Sequence, residues 1–274
     1  MKYPVITRTQ AQQIVAGQEK ISLDLGITEE KITIKDAFVT LKKEKVELIK
    51  LKNLKEGLCY VIINNQVIPI TSFSEQSNYY YKLLPTTDWP TITFSSTPMH
   101  RHTRMSPKQS AQQMVDEISP VQGTVLDTCC GLGYTAILAA KKAKHIYTFE
   151  IDPTVQEIAQ FNPYSEELYN NNKITLTMED VFEAITKFPN QHFDRILHDP
   201  PTFKYAENLY DQSFHKELYR VLKKGGILYH YCPNPKKLKG TMFHPRIVRQ
   251  LKRAGFTLAI YKPESSGIKA VKEF

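Results

Sequence analysis

The 274-residue chain carries 36 lysine and arginine residues against 28 aspartate and glutamate residues, a net charge of +8 at pH 7. Its hydrophobic content of 41% is ordinary for a globular protein, and its length suits one large domain or a catalytic domain with a small companion. The sequence contains no apolar run of about 18 residues and begins without the apolar core of a signal peptide. We therefore expect a cytoplasmic protein with no membrane partner, and the basic charge favours a polyanionic partner.

The cysteines predict neither a redox motif nor a metal centre. Cys59, Cys129, Cys130 and Cys232 lack the C-x-x-C spacing typical of zinc and redox sites. In a reducing compartment they are expected to be free thiols. The sequence leaves the oligomeric state open.

Residues 1–85 have the alternating, β-branched character of a small, mainly antiparallel α+β domain. The pattern predicts a helix at 9–16 and then strands at 20–25, 31–41, 47–51, 59–70 and 79–84. Asn64-Asn65 predicts a turn inside the fourth of these strands. Turn-forming residues at 85–90 mark the domain boundary, and RNA contact is a candidate role for the domain.

A second domain, over residues 98–274, is predicted by a series of strand ends. The first strand lies in Thr-Val-Leu-Asp-Thr-Cys-Cys-Gly-Leu-Gly-Tyr-Thr at 124–135, ends at Asp127 and turns through Gly131 and Gly133 into a helix. The glycines allow the backbone to approach a ligand closely. Asp127 can accept hydrogen bonds from a ligand ammonium or hydroxyl group.

Three further strands end in acidic residues. The second, at 147–152, brings Glu150 to the position where a carboxylate binds a ribose diol in nucleotide folds. The third ends in Glu179-Asp180, and the fourth ends in Asp199-Pro200-Pro201. Ligands of open α/β sheets bind at the carboxyl ends of the strands, so these residues are expected to meet at one cofactor site.

The same patterns predict the helices and the end of the second domain. Ser106-Pro107 is typical of a helix start, and further helices are predicted at 155–161, 180–188, 213–222 and 246–254. Lys-Lys-Gly225-Gly226 is expected to cap the helix at 213–222, because glycine and cations favour helix C-termini. Residues 256–261 and 268–272 predict a closing hairpin.

These strand ends resemble those of class I S-adenosylmethionine-dependent methyltransferases, whereas NAD-binding domains share only the first two signals. Several segments resemble an archaeal-type family of predicted RNA methyltransferases: Met99-His-Arg101, 127–136, Asn162-Pro-Tyr-Ser165, His198-Asp-Pro-Pro201 and 217–226. The resemblance implies a Rossmann-like α/β sheet of seven strands with a reversed last strand, and S-adenosyl-L-methionine as cofactor. It implies cofactor contacts at Asp127, Thr128, Gly131, Gly133, Tyr134, Glu150, Ile151, Asp180, Val181 and Asp199.

Asp199, Pro200 and Pro201 are the candidate catalytic residues. The prolines fix the backbone, so the carboxylate and nearby carbonyls can accept hydrogen bonds from a substrate amine. Phe203 is a candidate stacking platform for a base. The alternatives are structural, with Asp199 capping a loop and Phe203 lying in the core. Thr202 stands where amine methyltransferases carry an aromatic residue, which leaves guanine N7 open beside an exocyclic amine.

Two acid-free basic segments are predicted to contact phosphates. One includes Arg101 and Arg104, and the other, at 233–254, includes Lys236, Lys237, Lys239 and Arg246. A solvated helix face and loop is the alternative interpretation of the segment at 233–254.

The favoured function is methyl transfer to a base nitrogen in RNA, with tRNA as the expected partner. A methyltransferase or aminopropyltransferase acting on a small molecule or a protein is one alternative. A non-catalytic RNA-binding protein is another, against which the intact acidic residues at the strand ends argue.

Overall fold

The chain forms two compact units in the computed structural model, which describes residues 3–232 and 243–273. The first unit comprises Met1–Lys108 and Thr154–Glu166, and the second comprises Gln109–Pro153 and Glu167–Phe274. The division into functional domains at 1–85 and 98–274 stays a prediction, because the first unit continues to Lys108 and includes an internal segment of the later sequence. No helix in the described part of the chain has the length and apolar character needed to cross a membrane.

The first unit is built mainly from short antiparallel strands. Its elements before residue 100 are β1 (Val5–Thr7), α1 (Arg8–Val15), β2 (Lys20–Ile21), β3 (Glu30–Lys31), β4 (Thr33–Lys35), β5 (Phe38–Leu41), β6 (Glu44–Glu47), α2 (Leu48–Lys52), β7 (Cys59–Ile63), β8 (Gln66–Pro69), β9 (Thr71–Ser74), β10 (Tyr79–Leu84), β11 (Thr91–Phe94) and β12 (Thr97–Pro98). The strands pair as β1-β7-β8, β2-β3, β4-β5-β6 and β12-β11-β10-β9.

Local sequence explains the first helix and the hairpin between β7 and β8. Thr7 accepts a hydrogen bond from the Thr9 amide at 3.2 Å, and Gln10 accepts one from the Thr7 amide at 3.0 Å, so α1 begins with a capping box. Asn64 and Asn65 have φ angles of 52° and 59°, as the predicted turn requires. The predicted helix at 9–16 and the turn at Asn64-Asn65 are therefore confirmed.

Most of the predicted strand at 47–51 is a helix, because only Glu47 belongs to a strand and α2 begins at Leu48. In α2 the side chains of Leu48 and Leu51, three residues apart, pack into the same hydrophobic core, while Ile49 is 58% exposed. Burial at a spacing of three favours helix over strand, in which Ile49 and Leu51 would share a face. The predicted strand at 31–41 is also interrupted, because Asp36 has a φ of 55° and turns the chain from β4 into β5.

The remaining elements include the large sheet of the second unit. They are α3 (Pro107–Glu117), β13 (Thr124–Asp127), α4 (Tyr134–Ala140), β14 (His145–Glu150), α5 (Pro153–Ala159), α6 (Glu166–Asn170), β15 (Ile174–Met178), α7 (Val181–Ala184), β16 (Phe193–His198), α8 (Gln212–Val221), β17 (Leu222–Tyr231), α9 (Phe243–Ala254), β18 (Leu258–Lys262) and β19 (Gly267–Val271).

The sheet of the second unit has seven strands in the order β15-β14-β13-β16-β17-β19-β18. All neighbours are parallel except that β19 runs antiparallel to both β17 and β18. The predicted Rossmann-like sheet with a reversed last strand is therefore confirmed. The strand order reverses between β13 and β16, and ligands bind outside the carboxyl ends at such a switch point.

The C-terminus of α8 differs from the prediction. Lys223, Lys224, Gly225 and Gly226 do not cap it, because they lie in the ten-residue strand β17. Lys272 supplies the cation instead, since its Nζ donates to the carbonyls of Tyr219 at 2.7 Å and Leu222 at 2.8 Å. Gly225 passes close to the same residue and donates its amide to the Lys272 carbonyl at 2.6 Å.

Candidate active site

Asp127 lies at the carboxyl end of β13 and is completely buried. Thr135 donates to one carboxylate oxygen at 3.1 Å, and Thr148 donates to the other at 2.7 Å. Burial raises the pKa of Asp127 to about 7 despite these two hydrogen bonds, and Glu150 raises it further. The carboxylate thus joins β13, α4 and β14 at the centre of the sheet edge.

The glycine turn after Asp127 leaves room for a ligand. Gly131 has a φ of 53°, and a Cβ built at this position would have no neighbouring atom within 4 Å. Gly133 has a φ of 79° at the N-cap of α4, where a Cβ would lie 2.8 Å from Leu168 Cδ2. The first glycine therefore opens the loop, whereas the second allows the helix to pack closely. Tyr134 is buried at the first residue of α4.

Glu150 is held by backbone amides at the end of β14. Its Oε2 accepts from the Gly131 amide at 2.9 Å, and its Oε1 accepts from the amides of Ile151 at 2.9 Å and Asp152 at 3.0 Å. Burial raises the pKa of Glu150, while these amides oppose the shift. Because one lone pair of Oε2 stays available, this oxygen is the candidate acceptor for a ribose hydroxyl.

Beside Glu150 the sheet edge exposes apolar side chains. Ile151 is 53% exposed and Met178, which pairs in register with Glu150, is 47% exposed. Asp180 accepts from the Phe182 amide at 2.8 Å as the N-cap of α7, and the Val181 side chain is buried in the core. Val181 can therefore offer a ligand its backbone, while Ile151 and Met178 offer an apolar face suited to a heterocycle.

Asp199 follows β16 and is a half-buried carboxyl group. Burial raises its pKa to about 7 and Asp127 adds to the shift, and among residues 3–232 and 243–273 no hydrogen bond opposes it. A carboxyl group that is desolvated and receives no hydrogen bond from the described residues suits a role in accepting hydrogen bonds from a ligand. Asp199 differs in this respect from Asp127, whose two oxygens are both occupied by threonines.

The buried side chain of Tyr210 holds the Asp-Pro-Pro loop in place. The buried hydroxyl of Tyr210 donates to the Pro201 carbonyl at 2.9 Å and approaches the Pro200 carbonyl at 3.5 Å. The ring of Phe203 packs edge-on against Tyr210, with centroids 5.7 Å apart. Burial raises the pKa of Tyr210 well above its usual range, so the hydroxyl stays a donor.

His198 connects the two central strand ends. Its Nε2 donates to the Leu209 carbonyl at 3.1 Å, so its Nδ1 accepts from the Thr128 hydroxyl at 2.8 Å. Burial, followed by His230 and His215, lowers the pKa of His198 well below its usual value. The neutral imidazole therefore bridges the residue after Asp127 to the residue before Asp199.

The predicted substrate residues are divided between the units. Arg101 and Arg104 lie in the first unit, and Phe203 and Arg246 in the second. The guanidinium of Arg246 lies 5.4 Å from the centre of the Phe203 ring, which brings the start of α9 to the Asp-Pro-Pro loop. Lys236, Lys237 and Lys239 lie outside the described residues.

Four elements of the site were missed from the sequence. They are the Thr135–Thr148 clamp on Asp127, the His198 bridge to Thr128, the Tyr210 anchor and the exposed Met178. Only Met178 could have been found from the sequence, because it directly precedes the predicted acidic strand end Glu179-Asp180. In the described ranges, no group of three or more His, Cys, Asp or Glu side chains is arranged to hold a metal ion.

Comparison with known proteins identifies the class of the domain that carries this site. A methyltransferase domain family matches residues 125–226. A spermidine synthase in complex with the transition-state analogue AdoDATO has the same fold with a TM-score of 0.60, at 18% identity over 78% of this chain and 75% of that one. The spermidine synthase of Thermotoga maritima gives a TM-score of 0.58 at 17% identity, over 78% of this chain and 77% of that one.

The matched domain, the sheet order and the site define a class I S-adenosylmethionine-dependent methyltransferase. The uncharacterized protein MJ1233 of Methanocaldococcus jannaschii is 37% identical over 278 residues, which cover 97% of this chain and 95% of that protein. This chain belongs to the same family as MJ1233. An uncharacterized RNA methyltransferase of Listeria monocytogenes is 33% identical over 133 residues, which cover 48% of this chain and 27% of that protein.

The residues present fit S-adenosylmethionine. The open space at Gly131 and the exposed face of Ile151 suit a ligand that spans both ends of the edge. When bound, the cofactor supplies an electrophilic methyl group.

Proposed function

We propose that this enzyme methylates a base nitrogen in RNA, with tRNA as the substrate to test first. One observation carries the proposal: Arg246, at the start of a basic helix, stacks on Phe203 in the loop that follows Asp199. The cation offers a contact for a phosphate, the aromatic ring one for a base, and the Asp199 carboxylate, which accepts no hydrogen bond from the part of the chain that the structure describes, one for a base amine.

The rest of α9 continues the basic surface. Arg249 and Arg253 are exposed and lie three and seven residues after Arg246, so the three share one face. The opposite face is apolar and buried at Ile247 and Leu251. No acidic residue occurs between Phe243 and Ala254, so no side chain within the helix neutralises this stripe. The partial match to an RNA methyltransferase of Listeria monocytogenes supports the same substrate class.

The site supports methyl transfer to an amine by alignment. The Asp199 carboxylate and the Pro200 carbonyl can accept the two hydrogens of an exocyclic amine, which directs its lone pair away from them. Tyr210 holds the neighbouring Pro201 carbonyl and so fixes the loop. Guanine N7 remains the alternative target, because it presents its lone pair without any such acceptor.

The experiment is incubation with radiolabelled cofactor and either total RNA, tRNA, protein extract or a polyamine mixture, followed by mass spectrometry of the nucleosides. Label in RNA supports the proposal, and label confined to protein or small molecules overturns it.

Aminopropyl transfer is the second candidate, because the spermidine synthase likeness covers 78% of the chain. Decarboxylated S-adenosylmethionine replaces the cofactor in that arm, and a polyamine product would support the second candidate.

Asp199→Ala separates the two target atoms. We expect a large loss of turnover with little change in cofactor affinity if the target is an amine, because the contact matters for the aligned substrate. A change of less than about threefold, below roughly 1 kcal/mol, would favour N7.

A further inference from the structure

An aromatic pair is exposed on one face of β9 and β10 in the first unit. Phe73 is 53% exposed and Tyr80 is 42% exposed, and the two residues are direct partners in the antiparallel ladder. On the opposite face of β10, Tyr81 and Leu83 are 4% and 0% exposed, because they lie in the unit's interior. The strand thus has a normal buried face, while its aromatic outer face is exposed to solvent.

Tyr80 is held in place across this face. Its hydroxyl donates to the Thr71 hydroxyl at 2.9 Å, which lies two residues along β9 from the ladder partner Phe73. The ammonium of Lys82, on the same face of β10, lies 5.4 Å from the centre of the Tyr80 ring. The ring is therefore fixed before any partner binds, which lowers the entropic cost of association.

The arrangement favours an unpaired nucleic-acid strand over an apolar protein surface. Opposed Cβ atoms of an antiparallel ladder lie about 5 Å apart, so two neighbouring aromatic rings can each contact a base. Every base has a π-face, and stacking on aromatic side chains is the usual way a sheet binds single strands. Lys82 adds a cation beside the rings, and a phosphate complements it, whereas an apolar partner would bury its charge.

We propose that Phe73 and Tyr80 form a stacking platform for unpaired bases of the RNA substrate, with Lys82 beside it as a phosphate contact. This inference rests on the proposed function, since it assumes an RNA substrate. It assigns to the first unit the recognition of a single-stranded segment, such as a loop or an end, and leaves the methyl-transfer chemistry to the second unit.

The test measures binding of the full-length protein to a fluorescent uridine oligonucleotide of about 12 nucleotides, a length within the range that single-strand sites occupy. Phe73→Ala and Tyr80→Ala are each expected to weaken binding about fivefold or more. Tyr80→Phe should stay within about twofold of the wild type, because the ring is kept. Lys82→Gln should lower the log–log salt slope by about 0.7.

Ile49→Ala is the matched control, because Ile49 is a large apolar side chain of the same unit and is 58% exposed. It should bind RNA like the wild type, and thermal unfolding should show every variant folded. Phe73→Ala and Tyr80→Ala binding no worse than Ile49→Ala would overturn the platform. So would light scattering that shows a wild-type dimer converted to monomer by these variants, since the face would then bind a second copy.

The outcome also distinguishes the platform from the proposed function. If the wild type methylates RNA and the aromatic variants bind it normally, only the platform is wrong. If the wild type neither binds nor methylates RNA, both proposals are overturned.

Discussion

Asp199 determines the expected pH dependence of turnover at the residue scale. Its pKa is raised to about 7 by burial and by Asp127. Only the ionised carboxylate has both oxygens available as acceptors, so turnover at saturating cofactor should rise between about pH 6 and 8 and then level off. Asp199→Asn keeps one acceptor oxygen that does not titrate, and should show lower turnover without this rise. A rise that persists in Asp199→Asn would assign it to another group.

Asp127 is expected to make the unliganded protein less stable as the pH rises. A salt-bridged acid, whose pKa is lowered on folding, has the opposite effect. Its pKa is about 7 in the folded state and 3.8 in the reference state, so the folded protein binds the extra proton between these values. Stability is therefore present at low pH and is lost as the pH rises from about 4 to 7. Asp127→Asn should flatten this part of the unfolding profile. An unchanged profile would show that Asp127 does not titrate in this range.

Glu150 is expected to affect both the cofactor and the fold. Glu150→Ala should weaken S-adenosylmethionine binding by about 1–3 kcal/mol, the cost of leaving a buried hydroxyl partner unpaired. The variant also frees the amides of Gly131, Ile151 and Asp152, so some loss of thermal stability should accompany it. Calorimetry and thermal unfolding separate the two effects. Wild-type affinity in a destabilised variant would make Glu150 a loop anchor only.

At the scale of elements, the loop anchored by Tyr210 predicts a positioning effect. Tyr210→Phe removes the hydrogen bond to the Pro201 carbonyl and should lower kcat about two- to tenfold, with cofactor affinity unchanged. Tyr229→Phe is the matched control, because it also removes a buried tyrosine hydroxyl from a carbonyl, that of Ser265, at 2.8 Å. Equal losses of stability with a lower kcat only in Tyr210→Phe would support positioning. Equal kcat values in the two variants would contradict it.

The strand ends could be predicted from sequence, whereas the contacts that support them could not. Asp127, Glu150 and Asp199 each lie at or directly after the end of a short strand, and parallel topology brings such ends to one edge. The bond between Thr128 and His198 joins residues 70 positions apart, and neither has a local pattern that indicates a partner. A histidine in an apolar strand gives the same sequence signal whether it is a bridge or a core residue.

Errors in the predicted elements arose where long-range packing opposed a local preference. Gly225 and Gly226 favour a helix end in isolation, but Leu222 already pairs with Phe193 as β17 begins. The cap came from Lys272, about fifty residues further along the chain, a partner that a window of sequence cannot contain. Residues 48–51 show the same effect, since the core selects the helical spacing of Leu48 and Leu51.

At the scale of the whole molecule, the first unit is discontinuous, and this determines how its role can be tested. Tyr164, from the segment Thr154–Glu166, donates to the Leu25 carbonyl at 3.1 Å and packs 5.6 Å from the ring centre of Trp89. Deletion of residues 1–85 would remove Leu25 and leave Tyr164 and Trp89 in the chain. Point variants of exposed residues therefore test substrate binding more directly than truncation.

RNA binding by the whole enzyme should depend steeply on salt through the basic segments. Each phosphate neutralised contributes a log–log slope of about 0.7 for a single strand and about 0.9 for a duplex. Neutralising Lys236, Lys237 and Lys239 together should therefore lower the slope for tRNA by roughly two to three units if all three contact phosphates. A triple variant with the wild-type slope would make this segment a solvated surface.

Phosphate contact by the start of α9 can be tested by comparing two pairs of basic residues at opposite edges of the same sheet. Because α9 connects parallel strands, Arg246 and Arg249 lie toward the carboxyl edge, where Asp199 is, whereas Lys141 and Lys142 follow α4 at the amino edge. Each pair removes two positive charges, so a general field effect on the polyanion would be the same in both variants. Arg246→Gln with Arg249→Gln should lower the salt slope for tRNA by roughly one to two units. The Lys141→Gln/Lys142→Gln double variant should keep the wild-type salt slope. Equal slopes in the two double variants would mean that these charges act only at long range and that α9 makes no phosphate contact.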